Sequence, residues 1–322
     1  ATPRLEDVAR RAGVSTATVS RCLNAPDKVI ARTREKVMQA VRDLGYSPNF
    51  GARAMAARRT FTIGAVIPTM ENAIFARGLQ AFQEELRENG YQLLVSSSSY
   101  RPDLEEEQVR ALVARGAEGL LLIGHDRAEA TTRFLKQRGL PVLVAWSFAE
   151  ATDFPSVGFD NRAAMRDLAQ AVLSQGHQRI GMISAPCAGN DRARARVQGL
   201  RDAMAERGLD PASLALVETG YGIDTGAEAL RRVLGATLDV TAVVCGNDVL
   251  AAGALRAARQ LGLDVPRDLS ITGFDDIELA SVISPELTTM HVPHRSMGQT
   301  AARALVRMIE TGVVPDPVRL MP

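Results

Sequence analysis

The chain is 322 residues long, 46% hydrophobic and 23% charged, the proportions of an ordinary globular protein with more than one hydrophobic core. They exclude a disordered chain, a collagen-like repeat and a small disulfide scaffold. No apolar run reaches the roughly 18 residues of a membrane-spanning helix, so no membrane partner is expected. The net charge of +1 divides unevenly: residues 1–60 hold 12 basic and 5 acidic side chains, a net of +7, and the remainder 26 and 32, a net of −6. A basic head on an acidic body predicts that the head meets a polyanion. The opening stretch carries charges where an export signal has its apolar core, and Cys22, Cys187 and Cys245 lie far apart. Both point to reduced thiols in a cytoplasm.

Leu5, Val8, Ala9 and Ala12 recur at helical spacing and stop at Gly13, which tolerates the left-handed conformation that ends a helix. Ser15 is placed to cap a second helix over residues 16–23, after the short glycine-containing turn of a helix-turn-helix. Val37, Ala40, Val41 and Leu44 line one face of a third helix. In such a module the second helix enters the major groove by its N-terminal end. Thr16 and Ala17 then meet base edges: threonine by hydrogen bond or methyl contact, alanine by apolar contact alone. Arg21, one turn on, has the planar fork that grips guanine. Ser15, Thr18, Ser20, Asn24 and Arg32 are candidates for phosphate contacts, which fix position rather than sequence. A plain three-helix bundle with a solvated basic face is the bland alternative.

Ser47-Pro48-Asn49 is a strong helix start. The helix it opens, over residues 49–59, has no clear core face, so it should be marginal alone and fold against a partner. Two such helices side by side suit a minor groove, with Met55 as the apolar wedge. An ordinary linker is the alternative.

From residue 61 apolar strands alternate with helices. Strands are expected over 61–68, 91–97, 118–124, 141–146, 179–184, 240–246 and 269–274, and helices over 72–89, 103–115, 161–175 and 248–261. This rhythm predicts doubly wound parallel sheets, whose ligands bind at the carboxyl ends of the strands. Asn190-Asp191-Arg192, Asn247-Asp248 and Asp275-Asp276 fall at such ends. Enzyme readings lack parts: there is no Gly-Lys phosphate loop and no nucleophile elbow, and Gly220-Tyr221-Gly222 has Thr225 where a dinucleotide fingerprint needs glycine. His291-Val292-Pro293-His294 is no helical metal pair, because Pro293 breaks the helix there. No catalytic residue, metal or cofactor is expected.

The run Leu5-Glu6-Asp7-Val8-Ala9-Arg10-Arg11-Ala12-Gly13-Val14-Ser15, then Thr18-Val19-Ser20-Arg21, Gly45-Tyr46-Ser47-Pro48-Asn49 and Ala52-Arg53, resembles the head and hinge of the lactose/galactose repressor (LacI/GalR) family. Two departures stand out: Met55 where the family usually has leucine, and Ile30 where it often has a capping serine. The body also resembles the family, in Gly158-Phe159-Asp160-Asn161, Gly176-His177, Asn247-Asp248, Gly273-Phe274-Asp275-Asp276 and Pro285-Glu286-Leu287-Thr288-Thr289.

The resemblance implies an all-α headpiece over residues 1–46 and a hinge over 47–60. Residues 61–322 then form a two-lobed body of the periplasmic-binding-protein type, lobe 1 about 61–159 and 293–322 and lobe 2 about 160–292. It implies DNA contacts at Asn49 and Arg53, and an effector pocket between the lobes. There Arg196, Asn247 and Asp275 hold hydroxyls or charge, Tyr221 stacks on the ligand, and Ile74 and Phe75 make an apolar wall. Asn247 and Asp248 as simple helix caps, and Tyr221 as core, stay open. The implied protein is a homodimeric repressor of a palindromic DNA operator. A stretch from Tyr100 through Glu107 looks most like the gluconate-repressor branch, and Arg192 and Arg194 would suit a sugar acid. A transport-type sugar-binding protein shares the body fold but has no use for residues 1–60.

Overall fold

The computed structural model describes residues 3–47, 51, 54, 57, 59–71, 73–236 and 239–322. The chain divides into two compact units, residues 1–60 and 61–322.

In the first unit α1 (Leu5–Ala12) ends at Gly13 with φ 68°, and α2 (Thr16–Asn24) starts at Ser15, whose hydroxyl accepts the Thr18 N–H at 3.2 Å. The third helix, α3 (Ala31–Leu44), begins at Ile30 with no side-chain cap, and stops at Gly45 with φ 61°. Val8, Ala9, Val19, Cys22, Val37 and Ala40 are the buried centre, with Val14, Leu23, Val41 and Leu44 around it. Arg11 reaches Asp43 at 3.3 Å and ties α1 to α3.

The second unit has two sheets, parallel throughout. The first lobe is built on β1 (Thr62–Ile67), β2 (Gln92–Ser97), β3 (Gly119–Ile123), β4 (Val142–Ala145), β5 (Ser156–Gly158) and, far along the chain, β10 (Val318–Arg319). Their order is β10-β5-β4-β3-β1-β2. The second lobe uses β6 (Ile180–Ser184), β7 (Ala215–Glu218), β8 (Ala242–Cys245) and β9 (Ser270–Thr272), in the order β7-β6-β8-β9. Strands β1, β3, β4, β6 and β8 are buried along their whole length, as strands covered on both faces must be.

The helices are α4 (Ala73–Glu88), α5 (Pro102–Ala114), α6 (Glu129–Arg138), α7 (Asn161–Ser174), α8 (Asp191–Glu206), α9 (Ile223–Ala236), α10 (Asp248–Gln260), the short α11 (Leu279–Val282) and α12 (His294–Thr311). Three helix pairs pack closely, and each crosses at a glycine. A Cβ on Gly298 of α12 would lie 2.0 Å from the Gly78 carbonyl of α4. One on Gly199 of α8 would lie 2.2 Å from the Arg162 carbonyl of α7, and one on Gly253 of α10 would lie 2.1 Å from that of Ile223 in α9. Backbones this close need a residue with no side chain.

The polar cluster Asn190-Asp191-Arg192, expected only as a strand end, opens a helix that no expected element covers. Asn190 caps α8, and residues 191–196 form its first turns. Four arginines in the helix hide the buried stripe Ala193, Val197, Leu200, Ala203 and Met204. Helices α6 and α9 also lie outside the expected elements, and α6 has only Thr131 and Leu135 buried. A stripe that thin gives little helical period to read.

Candidate functional site

On the headpiece, Ser15, Thr16, Ala17, Arg21, Asn24 and Arg32 are exposed, and Thr18 and Ser20 half-buried. Val19 and Cys22 turn inward, so the opposite face of α2 is free for DNA. The Ser15 hydroxyl also pairs with that of Thr18 at 2.9 Å, and Asn24 donates to Ser20 at 3.2 Å. These short polar side chains are thus held in place along the helix. Asn49, Arg53 and Met55 lie outside the described residues.

In the body, the carboxyl ends of the two sheets face a cleft. A cavity of about 450 Å³ opens there, between Thr69, Ser97, Ser99 and Tyr100 of the first lobe and Asn190 and Tyr221 of the second. Tyr100 and Tyr221 meet across the cleft, ring centroids 5.4 Å apart and tilted by 34°. Asn190 donates to the Tyr221 hydroxyl at 3.3 Å, while its own carbonyl oxygen caps α8. Ser99 and Tyr100 both have positive φ, 51° and 59°. Such strain needs the surroundings to hold it, and it clusters at binding sites. Burial holds the Tyr100 phenol protonated well above the ordinary tyrosine range.

Behind this cavity lies a second, closed set of polar groups. The Arg196 guanidinium donates to Asn161 Oδ1 at 2.9 Å, the Gly246 carbonyl at 2.6 Å and Asp275 Oδ1 at 3.3 Å. It lies 3.8 Å above the Phe274 ring. Asp275 is 1% exposed, with φ 102°. Burial pushes its carboxyl up to about 7, against the pull of Arg196. Its second oxygen, Oδ2, has no partner, and neither has Nδ2 of Asn247. Asn247 caps α10 through Oδ1, which accepts the Leu250 N–H at 2.8 Å, so capping uses only half of the amide. Buried polar atoms are usually hydrogen-bonded, so these two keep a donor and an acceptor that the protein itself does not use. Asp248 beside it is raised to about 6 by burial and accepts from the Thr289 hydroxyl at 2.6 Å.

A further chain of hydrogen bonds supports this floor. Trp146 Nε1 donates to His294 Nδ1 at 3.1 Å, and His294 Nε2 meets the Asp275 carbonyl at 3.2 Å. Burial lowers His294 to about 4, so the ring is neutral: Nδ1 accepts and Nε2 donates. Phe75 packs edge-on against Trp146, centroids 5.4 Å apart, and Ile74 is buried in the same core.

The expected effector residues therefore occupy two layers. Tyr221 lines the open cavity, while Arg196, Asn247 and Asp275 form the closed set, with Ile74 and Phe75 in the core. Tyr100 and Asn190 are cleft residues that the sequence does not place among the effector contacts, although Asn190 stands in one of the polar clusters at the strand ends. Their signal was available, since both follow the carboxyl ends of strands. Arg192 is 8% exposed and bonded to Asp191 at 2.9 Å. Arg194 is exposed and crosses to Asp126 of the first lobe at 2.8 Å.

A helix-turn-helix head and a two-lobed cleft with a buried Arg–Asp pair define a DNA-binding regulator that senses a small molecule. Residues 4–49 match the model of bacterial regulatory proteins of the lacI family, and residues 169–322 that of the periplasmic binding protein-like domain. The chain is 36% identical to the transcriptional regulator MalR of Streptomyces coelicolor, over 98% of this chain and 92% of that one. It is 31% identical to the transcriptional regulator GntR of Escherichia coli K12, over 95% and 92%. The lac repressor dimer bound to operator and the anti-inducer ONPF superimposes with a TM-score of 0.86 at 27% identity, over 99% and 96%. The chain belongs to the LacI family of transcriptional regulators: it is a DNA-binding, effector-responsive regulator and not an enzyme.

Proposed function

We propose that this chain is a cytoplasmic homodimeric repressor, and that its effector is a sugar or sugar acid bound in the cleft. The observation that carries the reading is the Arg196–Asp275 pair, with an acceptor, Asp275 Oδ2, and a donor, Asn247 Nδ2, that have no protein partner. A hydroxyl gives a proton to one such atom and accepts from the other, so the set suits a polyol. Tyr221 supplies a ring face for its C–H groups. Arg192 lies near enough to Tyr100 for its charge to act on that phenol, and this charge would favour a sugar acid's carboxylate. MalR and GntR match the chain at 36% and 31% identity, and the gluconate branch is favoured by Phe75, Gly158-Phe159-Asp160-Asn161 and the stretch from Tyr100 through Glu107.

The headpiece, residues 1–46, reads a near-palindromic operator, two copies sitting about one helical turn apart. Ser15, Thr16, Ala17, Thr18, Ser20, Arg21, Asn24 and Arg32 make its contacts. Residues 47–60 form the hinge, with Asn49, Arg53 and the wedge Met55 at the central minor groove. Effector binding changes the angle between the lobes and shifts the DNA-competent population. No helix among the described residues is long and apolar enough to cross a membrane.

The test is a gel shift of the full chain on near-palindromic DNA, with and without compounds selected by a thermal-shift screen of sugars and sugar acids. Binding no tighter than to random duplex refutes the DNA reading. Saturating ligand that leaves DNA affinity unchanged refutes the switch. Arg21 makes no ion pair among the described residues, so its fork is free for a base. Arg21→Ala should weaken specific binding by about 1–3 kcal/mol, and equal affinities would remove it from base reading.

A further inference from the structure

Beyond the cleft, the first lobe has a second cavity, of about 580 Å³, at the carboxyl ends of β3 and β4. His125, Arg127, Thr132, Thr152, Asp153 and Phe154 line it, and none of them lines the cleft cavity. Two lining atoms are buried with no hydrogen-bond partner, Arg127 Nε and His125 Nε2, and so is Glu105 Oε1, 3.5 Å from Arg127 Nε. The Arg127 side chain is 4% exposed. It donates to the Gly124 carbonyl through Nη2.

The charges around this cavity balance. Glu105 offsets Arg127, Asp191 offsets Arg192 at 2.9 Å, and Lys136 pairs with Asp153 at the rim. Asp126 is taken by Arg194. Neither an anion nor a cation is favoured by such a set. The hydrogen-bonding capacity is mixed instead. Burial lowers His125, whose ring also bonds the Ser147 backbone. With Nε2 unpartnered, that bond falls to Nδ1, and the neutral ring offers Nε2 as an acceptor. Arg127 Nε is a donor. Thr152 donates its own proton to the Phe154 carbonyl at 2.8 Å and keeps its lone pairs. The Phe154 ring adds an apolar face.

We propose that this cavity is a second ligand site, separate from the cleft, for a small neutral polyhydroxyl compound. Hydroxyls donate to His125 Nε2, accept from Arg127 Nε and pair with Thr132 and Thr152, and the C–H face lies on Phe154. The wall of the site is joined to the second lobe, because the backbone N–H of His125 donates to Asp191 Oδ2 at 2.9 Å. Asp191 opens α8, the helix that carries Arg196. Occupation here therefore bears on the cleft.

The chain has four histidines, so selective ¹⁵N-histidine labelling of the full chain gives a readable spectrum. On titration with sorbitol and with D-glucose, the His125 Nε2 resonance should move saturably with at least one of them. The shift should persist in Asp275→Asn, which alters only the cleft. It should disappear in Ala151→Trp, which fills the cavity from an exposed loop position and leaves Arg127 and Glu105 in place. An unmoved His125 resonance with both polyols means the cavity holds water only, and overturns the proposal. So does a shift that vanishes in Asp275→Asn or survives in Ala151→Trp.

Discussion

Replacing Asp275 by asparagine tests the central pair directly. A carboxyl that titrates near 3.8 when unfolded and near 7 when folded holds its proton roughly 4 kcal/mol more tightly in the native chain. The sign follows from proton counting. Between those two pH values the native state binds the extra proton, so stability falls as pH rises through the window. Above about pH 7 the loss is complete, and the charged form survives on its partner Arg196. Asparagine has no proton to lose and keeps an oxygen for Arg196 Nη2, while Asn161 and Gly246 still accept from the rest of the guanidinium. The difference in stability between variant and parent should therefore change by up to about 4 kcal/mol between pH 4 and pH 8, in favour of the variant at the higher pH. Asp248, raised to about 6, contributes with the same sign and remains in the variant, so the slope should shrink rather than vanish. Urea unfolding can be followed through Trp146, the one tryptophan of the chain, which reports on the body alone. Parallel stability curves for the two proteins, or a variant about 3 kcal/mol weaker at pH 8, would mean the pair is net stabilising and the reasoning is wrong. The effector response should be blunted in the same variant.

Ser15→Ala removes the hydroxyl that caps α2 and should cost the headpiece about 1 kcal/mol, seen as a lower midpoint of its thermal transition; an unchanged midpoint would leave the cap without energetic weight. Gly298→Ala places a methyl against the Gly78 carbonyl and should destabilise the body by about 1–3 kcal/mol, read by the same urea titration with the headpiece transition unmoved. Destabilisation confined to the headpiece would contradict the crossing of α4 and α12.

The division of labour between chain and fold can be seen residue by residue. Ser15, Gly13 and the spacing of Val8, Val19 and Val37 are local signals, because capping, left-handed turns and helical period act within a few residues. The headpiece was therefore legible from the chain, as were the apolar strands of a buried parallel sheet. Helix α8 was hidden by its arginines, since its buried stripe is defined by the neighbours it packs against. The site was legible only in part. Arg196, Asn247, Asp275 and Tyr221 could be named from the resemblance, but their separation into a closed polar floor and an open tyrosine-lined cavity could not. That separation depends on Tyr100 and Tyr221 meeting from residues 121 positions apart, and on burial that leaves one oxygen of Asp275 without a partner. Desolvation and pairing are properties of the folded surroundings, so the acidity of Asp275 and the second cavity beside Arg127 belong to the tertiary structure alone.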